Sequence, residues 1–133
     1  MFSIEDRMSM ISQACIGLFG RKVFFDCIRV RELPADTALV HAAKQLGAAC
    51  LLRGVRNSQD LEYETNMLRY NELLDSSIKT VLVPSSAELA GVSSSAIKTL
   101  MSLNDTERVV KKFVPDCVYE QLVGRKYGKA IDT

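Results

Sequence analysis

The sequence predicts an α/β fold built on a parallel sheet, and three observations carry that prediction. Apolar residues recur at helical spacing in some segments and in strand-like blocks in others, and the two kinds alternate along the chain. The connections between them are short, so strand, helix and strand succeed one another as βαβ units with parallel strands. The run Ala48-Ala49-Cys50-Leu51-Leu52 is apolar without alternation, as expected of a parallel strand covered on both faces.

The elements follow in order. Ser3 and Asp6 form a capping box, and Ile4, Met8, Ile11, Cys15 and Leu18 follow at helical spacing until Gly20 ends the helix. Lys22 to Val30 is rich in β-branched and aromatic residues and reads as a strand. Past Pro34, Asp36 caps a second helix with Leu39, Ala42, Ala43 and Leu46 inward, ended by Gly47. After the strand Ala48 to Leu52 comes a long helix from Gln59 to Leu74, then a strand from Ile78 to Val83 stopped by Pro84. Two further helices are expected, from Ser94 to Leu103 and from Pro115, a good first helical residue, to Val123. The reading is one domain over 1–123 and a flexible tail over 124–133, where two glycines and several charges cluster.

Composition narrows the function classes. Seventeen Lys and Arg against 16 Asp and Glu leave a net charge of +1, which is no footprint for a nucleic-acid backbone. No apolar run approaches the roughly 18 residues that cross a bilayer, and Met1 to Arg7 lacks the basic and apolar regions of a secretory signal. A soluble, cytoplasmic protein with neither nucleic-acid nor membrane partners is the expectation. Cys15, Cys27, Cys50 and Cys117 are widely spaced and sit in apolar stretches, so they read as reduced, buried, small hydrophobes. With one histidine, His41, placed inside a helix, no metal site is predicted and His41 is read as structural. The methionines at helical apolar positions (Met8, Met10, Met67, Met101) read as gap-fillers.

Ligands of parallel sheets bind beyond the carboxyl ends of the strands, so the segments there matter most. After Leu52 comes Arg53-Gly54-Val55-Arg56-Asn57-Ser58-Gln59-Asp60-Leu61-Glu62-Tyr63-Glu64. Two arginines flanking a glycine supply forked donors and room for close backbone approach, which suits a phosphate or a nucleotide. The alternative is a solvated loop with the arginines paired to Asp60 and Glu64. Further on, Ser93-Ser94-Ser95 opens a helix, placing hydroxyls beside unpaired backbone N–H groups. Simple N-capping needs only one of them. Neither Gly-x-Gly-x-x-Gly nor Gly-x-x-x-x-Gly-Lys-Ser/Thr occurs.

Arg53-Gly54-Val55-Arg56 with Asp60-Leu61-Glu62-Tyr63-Glu64 resembles the Arg-Gly-Leu-Arg and Asp-Phe-Glu-Tyr-Glu signature of bacterial phosphopantetheine adenylyltransferases. Ser93-Ser94-Ser95-Ala96-Ile97-Lys98 resembles that family's Ile-Ser-Ser-Ser-x-Val-Lys segment, with the matching gap between the two. Phe2-Ser3-Ile4-Glu5-Asp6-Arg7 is similar to the start of an internal family helix, and Phe113-Val114-Pro115 also has a counterpart. The resemblance implies a Rossmann-like nucleotidyltransferase fold and transfer of AMP from ATP to 4′-phosphopantetheine, giving dephospho-coenzyme A and pyrophosphate. It further implies Mg2+, a cytoplasmic homo-oligomer, and ATP with 4′-phosphopantetheine or coenzyme A as bound partners. By motif, Arg53 would contact the pantetheine phosphate and Leu39 would line the pantetheine arm. Gly54, Val55, Arg56 and Glu64 would hold ATP, and the loop Leu89, Ala90, Gly91, Val92, Ser93, Ser94 and Ser95 would close on its phosphates.

The resemblance starts at an internal position of the family. Its opening strand, Thr/Ser-x-x-Asp-Pro…Gly-His turn, second strand and substrate-binding lysine have no counterpart in these 133 residues. The expectation is therefore an N-terminally truncated fold with no catalytic Thr or His of its own, so that turnover by these residues alone is the point a pyrophosphate-release assay decides. Its strand at Lys22 to Val30 would lie apart from the other two, with open edges for a partner or a swapped segment. Three readings stand at this point: the family adenylyltransferase, a non-catalytic ATP- or coenzyme A-binding remnant, and an interaction domain.

Overall fold

The structure, a computed structural model, describes residues 2–128. Its elements in order are α1 (Ile4–Cys27), α2 (Leu39–Gln45), β1 (Cys50–Val55), α3 (Ser58–Leu74) and β2 (Lys79–Pro84). A 3-10 turn (Ala87–Leu89), α4 (Ser94–Ser102), α5 (Glu107–Val110) and α6 (Asp116–Gly128) follow. The chain folds as two compact units, one of Leu33–Gly91 and one of Met1–Glu32 with Val92–Thr133.

The unit Leu33–Gly91 is a βαβ unit with a leading helix. β1 and β2 pair in parallel, with Cys50 opposite Lys79 and Val55 opposite Pro84. The long helix α3 connects them, because a parallel pair cannot be joined by a tight turn. Asn57 starts α3 by accepting the Asp60 N–H at 2.9 Å, and Asp60 adds negative charge where the helix dipole favours it. Gly47, at φ +68°, supplies the left-handed residue just beyond α2. Val40 and Ala43 of α2 pack with Leu51 and Ile78 as the core of this unit.

Side chains alternate across a strand, so Leu51, Arg53 and Val55 share one face of β1 and Cys50, Leu52 and Gly54 the other. α2 and α3 cover the first face. On the second, Leu52 is 68% exposed, and Val81 and Val83 of β2 are exposed beside it. Within this unit, helices are packed on one side of the sheet only. The phase of α2 differs from the sequence pattern. Val40 is fully buried while Leu46 is exposed, and Asp36 does not cap the helix, whose first flanking residue is Ala38.

In the other unit, α1 starts with the predicted capping box: Ser3 Oγ accepts the Asp6 N–H, and Asp6 accepts the Ser3 N–H. Gly20 interrupts the helical backbone at φ +81°, as a residue without Cβ can. Beyond it the predicted strand is absent, and 21–27 is helical. A strand needs a ladder partner for its backbone groups, and β1 and β2 are the strands among the described residues, paired with each other. A helix closes those hydrogen bonds within itself. Its end is sealed by Arg29, whose Nη1 donates to the carbonyls of Phe25 and Ile28 at 2.6 and 2.8 Å.

Ile97, Met101 and Val110 form the core of this unit, with Tyr119, Leu122 and Val123 packed against it. α6 is tied to α1 by the Arg125–Asp6 ion pair and to α5 by Lys126–Glu107 at 2.6 Å. It continues past the predicted end at Val123 to Gly128; the rest of the predicted tail, 129–133, lies outside the described residues, as does Met1. Met10, not Ile11 or Leu18, is the buried residue of α1; Leu18 is exposed. All four cysteines are free thiols, but Cys27 and Cys50 are exposed, which corrects their reading as buried hydrophobes. No helix among the described residues is long and apolar enough to cross a membrane.

Candidate functional site

The strand β1 runs three residues further than its apolar core suggests, so Arg53, Gly54 and Val55 lie within it, opposite Leu82, Val83 and Pro84. This extension determines the aim of Arg53. Two residues beyond the buried Leu51, it shares the face that α3 covers. Glu64, on the second turn of α3, is 8% exposed and meets it there. Arg53 Nε donates to Glu64 Oε2 at 2.8 Å and Nη2 to Oε1 at 2.6 Å, a two-pronged pair. The pairing holds the Glu64 carboxyl below its ordinary pKa against the opposing effect of burial, and it raises that of Arg53.

One step beyond the strand, Arg56 makes the analogous bond to Asp60, with Nε to Oδ2 at 2.7 Å and its backbone N–H to the same oxygen at 3.2 Å. Asp60 is lowered in pKa by that bond. Both arginines are thus paired to the carboxylates the sequence offered as their alternative partners. The arrangement is ordered rather than a loosely solvated loop, because each pair links β1 or its end to the start of α3.

Beside the Arg53–Glu64 pair lies a cleft of about 170 Å³. Leu39 of α2 and Thr80 of β2 line it with Tyr63, Met67, Tyr70 and Leu74 of α3. Asn71, 8% exposed, is also on its wall. The structure therefore brings together Leu39 and Arg53, both named for the pantetheine substrate, with Glu64 in the same wall. The α3 residues were missed in the sequence. Their signal was present: 63, 67, 70 and 74 are spaced as one helical stripe, and Asn71 lies seven residues, or two turns, after Glu64.

The other predicted residues divide between the units. Gly54 sits on the bare face of β1, and a Cβ there would meet nothing within 4 Å, so no neighbour in this unit demands a glycine. Val55 accepts the Ser85 N–H at 2.9 Å, which ties the ends of the two strands together. Leu89 ends the 3-10 turn exposed, followed by Ala90 and Gly91. Val92 to Ser95 belong to the other unit, where Ser93 Oγ caps α4 by accepting the Ala96 N–H at 3.1 Å. Ser94 and Ser95 are exposed on its first turn. His41 is exposed on α2. Among the described residues no three His, Cys, Asp or Glu side chains converge as metal ligands.

The unit is a parallel βαβ arrangement with paired arginines at its strand end and an amide-bearing apolar cleft beside them, the place where α/β folds bind ligands. Comparison with known families agrees: residues 1–100 match the description Cytidylyltransferase-like, and the chain belongs to that family. Its relatives are phosphopantetheine adenylyltransferases. That of Paracoccus denitrificans is 30% identical over 94% of this chain and 72% of its own length. That of Mesorhizobium japonicum is 29% identical over 94% of this chain and 71% of its own length. The Streptococcus pneumoniae (strain JJA) protein of the same name is 37% identical over 68% of this chain and 54% of its own length.

Proposed function

We propose that the chain functions as a pantetheine-phosphate adenylyltransferase in coenzyme A biosynthesis, transferring AMP from ATP to 4′-phosphopantetheine with release of pyrophosphate. The observation that carries the reading is the cleft. Its long apolar wall from Leu39 to Leu74 suits a flexible arm, Asn71 offers an amide to the arm's own amides, and Arg53 stands at the end with donors for a phosphate. In this reading Arg53 and Leu39 hold the acceptor, and Gly54, Val55 and Arg56 border the nucleotide. Glu64 is expected to hold ATP; each of its oxygens takes one bond from Arg53 and keeps a second acceptor position.

Mg2+ has no cage among the described residues: Asp60 and Glu64 are each engaged by an arginine, and no third ligand joins them. An Mg2+ ion that comes with ATP would take most of its ligands from phosphate and water, with one or two side-chain oxygens at most to add. A cytoplasmic homo-oligomer without nucleic-acid or membrane partners is part of the proposal. Its supports are the free thiols, the net charge of +1 and the exposed Leu61 and Leu73 on α3, outside the cleft.

The test is calorimetric binding of 4′-phosphopantetheine to the purified chain, together with pyrophosphate release in the presence of ATP and magnesium. Saturable binding with release supports the whole reading. Binding without release leaves a ligand-binding protein that does not turn over, and no binding refutes the assignment of the cleft.

A further inference from the structure

Glu64 is the more buried member of the Arg53 pair, and both of its oxygens are used. An arginine carries five N–H donors in a rigid plane. Two go to Glu64, and among the described residues the other three have no protein acceptor. We infer that Glu64 is a positioning residue for the phosphate of the acceptor: it acts through Arg53, fixing the guanidinium so that its remaining donors face the cleft. The inference rests on the cleft being the 4′-phosphopantetheine site.

The geometry favours orientation over charge. By charge alone a carboxylate beside Arg53 opposes an incoming phosphate, and its removal would tighten binding. Yet Arg53 pairs with both oxygens of that carboxylate, so the charge an incoming phosphate meets there is already neutralised. What solvent does not supply is a fixed direction. A half-exposed arginine samples many rotamers, and the ligand would otherwise bear the cost of ordering it. Glu64 bears that cost beforehand, from a helix whose first turn is held by Asn57 and whose face packs on β1. Its lowered pKa keeps the carboxylate ionised through the neutral range.

The experiment compares 4′-phosphopantetheine with pantetheine, which lacks the phosphate, by calorimetry on the full chain. Glu64→Ala is expected to weaken 4′-phosphopantetheine by up to roughly tenfold, the upper end of what immobilising one rotamer-rich side chain costs. Pantetheine itself should bind unchanged. Glu64→Gln, which keeps one oxygen for Arg53, should fall between, and it carries the test should Glu64→Ala not fold. In an Arg53→Met background, Glu64→Gln should cause no further loss. Tighter 4′-phosphopantetheine binding by Glu64→Gln would overturn the inference in favour of simple charge competition. Equal loss for both ligands would overturn it in favour of a structural role, and a loss confined to ATP would make Glu64 a nucleotide ligand. If the native chain binds neither pantetheine compound, the functional reading fails, and the inference with it. Retained native binding with an unaffected Arg53→Met variant would instead remove Arg53 from the site and refute the inference alone.

Discussion

Replacing Arg53 by Met keeps an unbranched stem of similar girth and deletes the guanidinium, leaving Glu64 with two unpaired oxygens at 8% exposure. Each hydrogen bond to a charged group is worth about 1.5–3 kcal/mol when sheltered. Arg53 is 42% exposed, however, so the pair is partly screened, and a net cost of about 1–2 kcal/mol is the reasonable figure. For a chain of this size that is a fall in Tm of roughly 4–8 °C near pH 7. The pH dependence gives the sharper check. Glu64 has a pKa below its ordinary 4.5 in the folded chain, chiefly through Arg53. A carboxyl depressed on folding contributes stability above its unfolded value, and that contribution is lost as pH falls through the folded value. Melting curves of the native chain and Arg53→Met should therefore differ fully at neutral pH and converge on acidification below about pH 4.5. A gap that persists undiminished at about pH 3, or no gap at neutral pH, would refute the reasoning.

Three further outcomes are expected. Gly54→Ala adds a Cβ into open space, so melting should shift by less than about 0.5 kcal/mol while ATP affinity measured by calorimetry falls; a large loss of stability would contradict the bare-face geometry. Ser93→Ala removes the bond to the Ala96 N–H and should cost about 1 kcal/mol, read from urea unfolding, with an unchanged midpoint arguing against the cap. Leu61→Glu with Leu73→Glu should lower the mass seen by light scattering if the exposed side of α3 away from the cleft is an assembly surface, and an unchanged mass would remove that support.

Local signals were legible where chemistry acts over a few residues. The Ser3–Asp6 box, the break at Gly20 and the span of α3 all follow from caps, periodicity and a positive φ. The strand expected at Lys22 to Val30 fails for a reason that no window of nine residues contains. Val23, Phe24, Phe25 and Ile28 have strand-forming shapes, but a strand exists only through a neighbour, and none is present for it among the described residues. The covering of β1 is the same kind of property. Its apolar run says that burial is possible on both faces, while the layer that would cover Leu52 is not encoded in Leu52. The cleft was half legible: Leu39 and Arg53 came from motif resemblance, and the α3 stripe was visible in spacing but without a partner surface to orient it.

The two opposed readings of the arginines turn out not to exclude one another. Pairing with Asp60 and Glu64 was the alternative to phosphate recognition, and the structure contains the pairing. A bidentate bond, however, consumes only one edge of a guanidinium. For Arg53 the consumed edge is the one facing the buried carboxylate, while the residue still lines a cleft whose other walls are apolar. A structural ion pair with nothing beyond it would leave Arg53 replaceable by any arrangement that neutralised Glu64. The charge-neutral double variant Arg53→Met with Glu64→Gln separates the cases, because it removes the ion pair without leaving a buried charge. If the pair is only structural, the double variant should regain much of the stability lost by Arg53→Met and keep native affinity for 4′-phosphopantetheine. If Arg53 also reads the phosphate, stability should return and affinity should not.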